Sequence, residues 1–278
     1  MSSPDTAPRR ERREPSPPDA APRTVDRTLE IDAPLGAVWR ALTDADELTR
    51  WFPLEARVEP GVGGSIWMRW ADVYQGGSRI EAWEPERHLR IAFPHDAPGP
   101  LLTDYYLEGR GGRTVLRVVT SGFGTGATWD DMYDGVQRGW QFELHGLRHY
   151  LERHRGENRV VAWVRLPYAL ANREAWQRLT APGGWLGADG LNRLEVGGPY
   201  EARTPDGTTL AGTVHAWQPP AMFVGTVKGL RDGLLRLELE TWTNPHRVSL
   251  WLSSYGPPED DLRNLETAWR ASITETLA

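Results

Sequence analysis

VGGSIWMRWADVYQGGSRIEAWEP, residues 62–85, and VGGPYEARTPDGTTLAGTVHAWQP, residues 196–219, are two copies of one pattern. Sliding the chain on itself by 134 residues keeps this register without a gap from Trp51 on Trp185 to Gly122 on Gly256, with fourteen identities. They include Val62-Gly63-Gly64 on Val196-Gly197-Gly198, Arg69 on Arg203, Asp72 on Asp206, Ala82-Trp83 on Ala216-Trp217 and Pro85 on Pro219. Tryptophan and glycine are the residue types in which chance coincidence is least expected. A further shift of three residues places Trp39 on Trp176 and Leu42-Thr43 on Leu179-Thr180. Two copies, each too long for a solenoid unit, mean a duplicated domain, and 278 residues accommodate two independent cores. The boundary is expected in the polar stretch around Gly156-Glu157-Asn158, which gives domains over 27–156 and 159–278.

Working outward from the repeat, each copy reads the same way. Thr28 to Ile31 alternates as a strand, and Ala33-Pro34 opens a short helix carrying Val38, Trp39 and Leu42. Asp44, Asp46 and Glu47 start a second short helix that runs to Trp51-Phe52. After the glycine turn at 61–64, Ile66, Met68 and Trp70 share one strand face. Strands follow at 78–83, 89–93, 101–108 and 113–120, the last two joined by the hairpin signal Gly109-Arg110-Gly111-Gly112. Met132, Val136, Trp140, Leu144, Leu147 and Leu151 then recur at helical spacing, matched in the second copy by Leu262, Leu265, Trp269, Ile273 and Leu277. The fold class is α+β: two tandem domains, each a curved antiparallel sheet wrapped around a long C-terminal helix. A long helix cannot touch a strongly bent sheet everywhere, so an apolar cavity between them is expected.

Composition narrows the function. With no cysteine there is no disulfide, thiolate metal site or cysteine nucleophile. A net charge of −6 offers no general attraction to phosphate backbones or anionic lipid, so nucleic acid is not an expected partner. No stretch reaches 18 uninterrupted apolar residues, and a cytoplasmic location without a membrane span is the expectation. Residues 1–26, with six prolines, five arginines and five acids, have almost nothing to bury and read as a disordered tail.

The run Ile31-Asp32-Ala33-Pro34, Val38-Trp39-Arg40-Ala41-Leu42-Thr43-Asp44, Trp51-Phe52, Gly63-Gly64, Glu84-Pro85-Glu86-Arg87-His88-Leu89, Arg113-Thr114-Val115-Leu116 and Gly139-Trp140 resembles the START-like (SRPBCC) superfamily. Within it, the sequence is most similar to the family named after the activator of heat-shock protein 90 ATPase. The second copy departs from the pattern: Pro182-Gly183-Gly184 replaces the acidic entry to Trp51, and Thr241 to His246 replaces the glycine hairpin. The resemblance implies a helix-grip fold with a hydrophobic cavity, the second domain being degenerate. It implies little about chemistry, because such folds serve as lipid carriers, polyketide cyclases, hormone receptors and co-chaperone domains.

Trp39, Trp51 and Trp83 recur in the second copy and read as structural. Trp70 becomes Thr204, and Trp129 has no counterpart, so the scaffold does not require them. Met68, Trp70, Tyr105, Thr120, Trp129 and Trp140 are the ligand-binding candidates, with Tyr105 and Thr120 the polar groups expected inside the first cavity. His145 and His149 stand four apart, but Leu144, Leu147 and Leu151 claim the buried face, so the histidines are expected in water. No metal ligand set and no cofactor are expected. Arg79 and Glu81 are expected on the outer sheet face, opposite Ile80 and Ala82. No convergent acid and base is evident in the cavity, so catalytic residues are expected to be none. The leading expectation is a non-enzymatic protein that holds a hydrophobic small molecule; the alternatives are a two-domain cyclase or aromatase, and a chaperone-associated module whose partner is a protein.

Overall fold

A computed structural model of the chain describes residues 23–278 except 96–98, 188–193, 242 and 257. Residues 1–22 of the expected tail lie outside the described residues. From Arg23 onward the chain is engaged: Arg23 pairs with Asp130, and β1 (Val25–Ile31) buries Val25, two residues ahead of the domain start read from composition.

The first domain continues with α1 (Leu35–Thr43), α2 (Ala45–Thr49), β2 (Glu55–Glu59), β3 (Ser65–Trp70), β4 (Tyr74–Glu84), β5 (His88–Phe93), β6 (Leu101–Arg110), β7 (Arg113–Ser121) and α3 (Ala127–Arg153). The seven strands form one antiparallel sheet in the order β1-β7-β6-β5-β4-β3-β2. Asp44 caps α2, its side chain accepting from the Glu47 N–H. The β6–β7 hairpin turns on Gly111 and Gly112, both at positive φ, the two-residue turn that glycine permits. Strand β2 has no clean apolar alternation and was not anticipated by periodicity; its residues alternate only between half-buried and exposed.

The second domain repeats the plan with β8 (Arg159–Pro167), α4 (Asn172–Thr180), β9 (Pro199–Arg203), β10 (Thr209–Gln218), β11 (Met222–Val227), β12 (Gly233–Glu240), β13 (Arg247–Tyr255) and α5 (Glu259–Leu277). Its six strands run β8-β13-β12-β11-β10-β9. Strands β5 and β11, and β7 and β13, coincide end to end at the 134-residue shift, and α1 and α4 coincide at the shift lengthened by three. The Trp39–Trp83 ring pair, at 5.3 Å, returns as Trp176–Trp217 at 5.5 Å, which assigns these indoles to the scaffold.

One irregularity is duplicated too. The β4–β5 register slips between Ile80 and Ala82, and the β10–β11 register slips between Val214 and Ala216, so Glu81 and His215 are corresponding bulge residues. Arg79 and Glu81 are exposed as expected, but the bulge sets Ala82 opposite Arg90, on the outer face, and sets Trp83 opposite Leu89, on the inner face. Strict alternation had placed Ala82 inward with Ile80; one extra residue reverses the sides.

Each sheet packs one face on its own long helix. Leu144, Leu147 and Leu151 of α3 join Ile66, Met68, Leu89, Ile91, Leu116 and Val118 in the first core. In the second, Trp269 and Ile273 of α5 meet Phe223, Leu235, Leu237, Leu250 and Leu252. The outer face of the second sheet is covered as well: Met222, Val224, Leu234 and Trp251 pack on Phe142, which projects from the opposite side of α3. The C-terminal half of α3, from Trp140 to Leu151, is therefore packed between two sheets. Strands β11, β12 and β13 are buried almost throughout, the signature of a sheet covered on both faces.

This arrangement corrects the expected position of His145 and His149. His149 is buried and His145 half-buried; they lie with His215, His154 and Tyr255 in the seam between domains, where rings of His149 and His154 are 5.0 Å apart. Burial pushes His145 and His149 down to about 4, so both are neutral at pH 7. The leucine stripe did claim one buried face; the helix simply has two.

Candidate functional site

Between the first sheet and α3 lies a cavity of about 410 Å³, within the range of small-ligand pockets. Strand β3 contributes Met68 and Trp70, β6 contributes Leu101 and Thr103, and β7 contributes Thr120. From α3 come Met132, Val136, Gly139, Trp140 and Glu143, an i, i+4, i+7, i+8, i+11 series that brings one helical stripe to the wall. Phe52 closes one end, with ring centroids 5.0 Å from Trp70 and 6.1 Å from Trp140. Tyr74, Pro94 and His95 are exposed and form the rim through which the cavity meets solvent.

The sequence candidates are distributed around this space. Met68, Trp70, Thr120 and Trp140 line it. Tyr105 does not; its buried ring sits edge-on to Trp140 at 5.8 Å and supports that wall from behind. Trp129 is not on the wall either, but packs 4.5 Å from the rim residue His95 and edge-on to Phe123. Thr120 is a partnered hydroxyl: it accepts from the Trp140 indole N–H at 2.9 Å and lies 3.1 Å from the Thr103 hydroxyl. This line of hydrogen bonds fixes the Trp140 rotamer and leaves hydroxyl lone pairs as the polar floor of an otherwise apolar chamber.

Sequence reasoning missed Thr103, Phe52 and, above all, Glu143. Burial pushes the Glu143 carboxyl up to about 7, against the pull of Arg236 and Arg159 and with a small further push from Glu238. A carboxyl near neutrality at the wall of an apolar cavity can donate or accept a proton at physiological pH. Its neighbours Arg236 and Glu238 belong to the second domain, so only the assembled pair sets its ionisation. Nothing local to residue 143 signals this.

The corresponding part of the second domain is lined differently. Trp185 and Trp269 meet edge-on at 5.3 Å, each 0% exposed, with Leu186 buried as well. Thr204 replaces Trp70, and Leu237 replaces Thr103, so that indole and the hydroxyl pair are gone.

An antiparallel sheet gripping a long C-terminal helix is the helix-grip architecture, present here as a tandem, with the apolar chamber described in the first domain. Residues 32–152 match the profile of the family described as activator of Hsp90 ATPase homolog 1-like protein, so the first domain has the fold of that group. Among solved structures, protein MLL2253 from Mesorhizobium loti is similar at 25% identity and a TM-score of 0.43, covering 48% of this chain and 98% of its own. DynU16, described as a putative protein in the dynemicin biosynthetic locus, is 19% identical with a TM-score of 0.41 and spans 91% of this chain and 95% of its own. The di-domain ARO/CYC BexL from the BE-7585A biosynthetic pathway is 14% identical with a TM-score of 0.43, over 91% and 97%. No curated protein matches the chain. Among the described residues no helix is long and apolar enough to cross a membrane.

Proposed function

We propose that the first domain binds a hydrophobic small molecule, apolar in body and carrying at least one oxygen, in the cavity between its sheet and α3, while the second domain buttresses α3. The observation that carries this is the chamber of about 410 Å³ walled by Met68, Trp70, Phe52 and Trp140, with Thr103, Thr120 and Glu143 as the polar groups inside and Tyr74 and His95 at the rim. Hydrophobic ligand binding is the common use of this fold, which supports the reading. Trp129 flanks the entrance in it, and Tyr105 positions Trp140.

The test exploits Gly139. A Cβ built there meets nothing within 4 Å, and the residue lies on the cavity wall, so a leucine would project into free space. Gly139→Leu should abolish binding of the fluorophore N-phenyl-1-naphthylamine and remove any small molecule that co-purifies in native mass spectrometry. It should also raise the melting temperature, since replacing a helical glycine gains roughly 0.5–1 kcal/mol. Unchanged probe binding in a stable Gly139→Leu protein overturns the proposal.

Glu143 favours a second reading, a cyclase- or aromatase-like enzyme in which this carboxyl shuttles a proton on a polyketide-like ligand. If so, Glu143→Gln abolishes turnover of a bound substrate while leaving its affinity within a few fold; for a carrier, the same variant changes affinity alone.

A further inference from the structure

We propose that His149, His154 and Asp232 form a binding site for a divalent transition metal of the zinc type, which fastens the two domains together. One donor atom from each residue lies within 4.8 Å of the others. His149 and His154 come from the end of α3 and its C-cap, whereas Asp232 comes from the turn that leads into β12. Two imidazoles and a carboxylate are a donor set suited to zinc, nickel or copper, and with three protein ligands the remaining position falls to water.

The surroundings of the three residues support the site. Both histidines are buried, at 7% exposure each, in a seam where an imidazole without a partner is costly. His154 Nε2 is nevertheless buried and without a hydrogen-bond partner, while its Nδ1 lies 3.4 Å from the Glu157 carboxylate. The N–H thus goes to Glu157 and the unengaged lone pair stays on Nε2, the arrangement of a carboxylate–histidine–metal relay. His149 gives its Nε2–H to the Asp232 carbonyl at 2.7 Å, which likewise leaves a lone pair on the other ring nitrogen. Consecutive left-handed residues, Arg231 and Asp232, both at φ 56°, turn the chain there and bring Asp232 to the ring. His149 and Asp232 also line an adjoining cavity of about 260 Å³, shared with His145 and His215, which provides an entry path.

The site is tested on the full chain by equilibrium dialysis against Zn²⁺ and by the visible d–d bands of Co²⁺, after removal of bound metal with a chelator. One equivalent of Zn²⁺ per chain, a tetrahedral Co²⁺ spectrum and a raised melting temperature are expected. Asp232→Asn, which tolerates the same backbone, and His154→Phe, which keeps the ring stacked on Tyr255, should each lose the equivalent and the spectrum. Glu157→Gln should retain them with roughly 10–100-fold weaker affinity. His246→Ala, at the far end of the β12–β13 hairpin, should bind as the parent does. Absence of stoichiometric Zn²⁺ in the parent overturns the proposal, as does an Asp232→Asn protein that still binds one equivalent as tightly as the parent; this variant also keeps the test decisive should the His154→Phe protein fail to fold.

Discussion

At the scale of single residues, Glu143 and Trp140 carry the most consequence. The raised pKa of Glu143 means that the folded state holds its proton to about pH 7 while the unfolded chain releases it near 4.5. Between those values the folded protein binds more protons, so this group's contribution is fully present below about pH 4.5 and is lost as pH rises through 7. Glu143→Gln removes the liability: thermal melts should show a stabilisation that is small at pH 5 and grows to the order of a few kcal/mol by pH 8. A variant whose stability tracks that of the parent at both pH values would place the carboxyl in water instead. Trp140 packs against Tyr105 and Phe52 while donating to Thr120. Trp140→Ala should therefore cost roughly 3–5 kcal/mol in denaturant unfolding. Trp140→Phe, which keeps one aromatic ring but loses the rest of the indole with its N–H, should cost less than the alanine variant, roughly 1–3 kcal/mol.

At the scale of elements, the repeat register made most of the fold legible, because shared Trp, Gly and Pro positions fix turns and core packing whatever lies between them. The cavity candidates on β3, β7 and α3 could be placed by period alone, since Met68, Trp70, Thr120 and Trp140 occupy regular elements. Tyr105 followed the same alternation to the inner face, yet period says nothing of depth along a strand, and it falls behind the wall rather than on it. Where a bulge intervenes, as at Glu81 and His215, period-two reasoning fails by one residue and misplaces Ala82. Helix α3 was the larger omission. Phe142, His145 and His149, spaced by three and four, make a second stripe on the side of α3 away from the leucines; from sequence the two histidines are placed in water because only one buried face is counted, and Phe142 is not used. Period locates faces; it does not count the surfaces that cover them. Glu143 lies between the two stripes, so neither its cavity exposure nor its distant arginines could be read from its neighbours in sequence.

At the scale of the whole molecule, the two domains share a core rather than a linker. Phe142 inserts among Ala216, Met222, Val224, Leu234 and Trp251, and Arg236 lies over its ring at 3.9 Å while pairing with Glu238 at 3.3 Å. Across the same seam, Arg159 donates to the carbonyls of Phe52 and Pro53, and the Tyr255 hydroxyl donates to the Arg50 carbonyl at 2.9 Å. An interface built of buried aromatic, aliphatic and paired polar groups transmits the unfolding of either half to the other. Calorimetry of the intact chain should therefore give one cooperative transition, its calorimetric enthalpy equal to the van't Hoff enthalpy. Two separated transitions would show that the halves merely touch. Phe142→Ala makes the decisive case, because Phe142 belongs to the first domain yet its packing partners line the second: truncation should cost roughly 3–5 kcal/mol. The loss should appear in tryptophan signals from both domains together. It should also pull the Glu143 titration toward the ordinary carboxylate range, because water that enters the seam removes the burial that holds the proton.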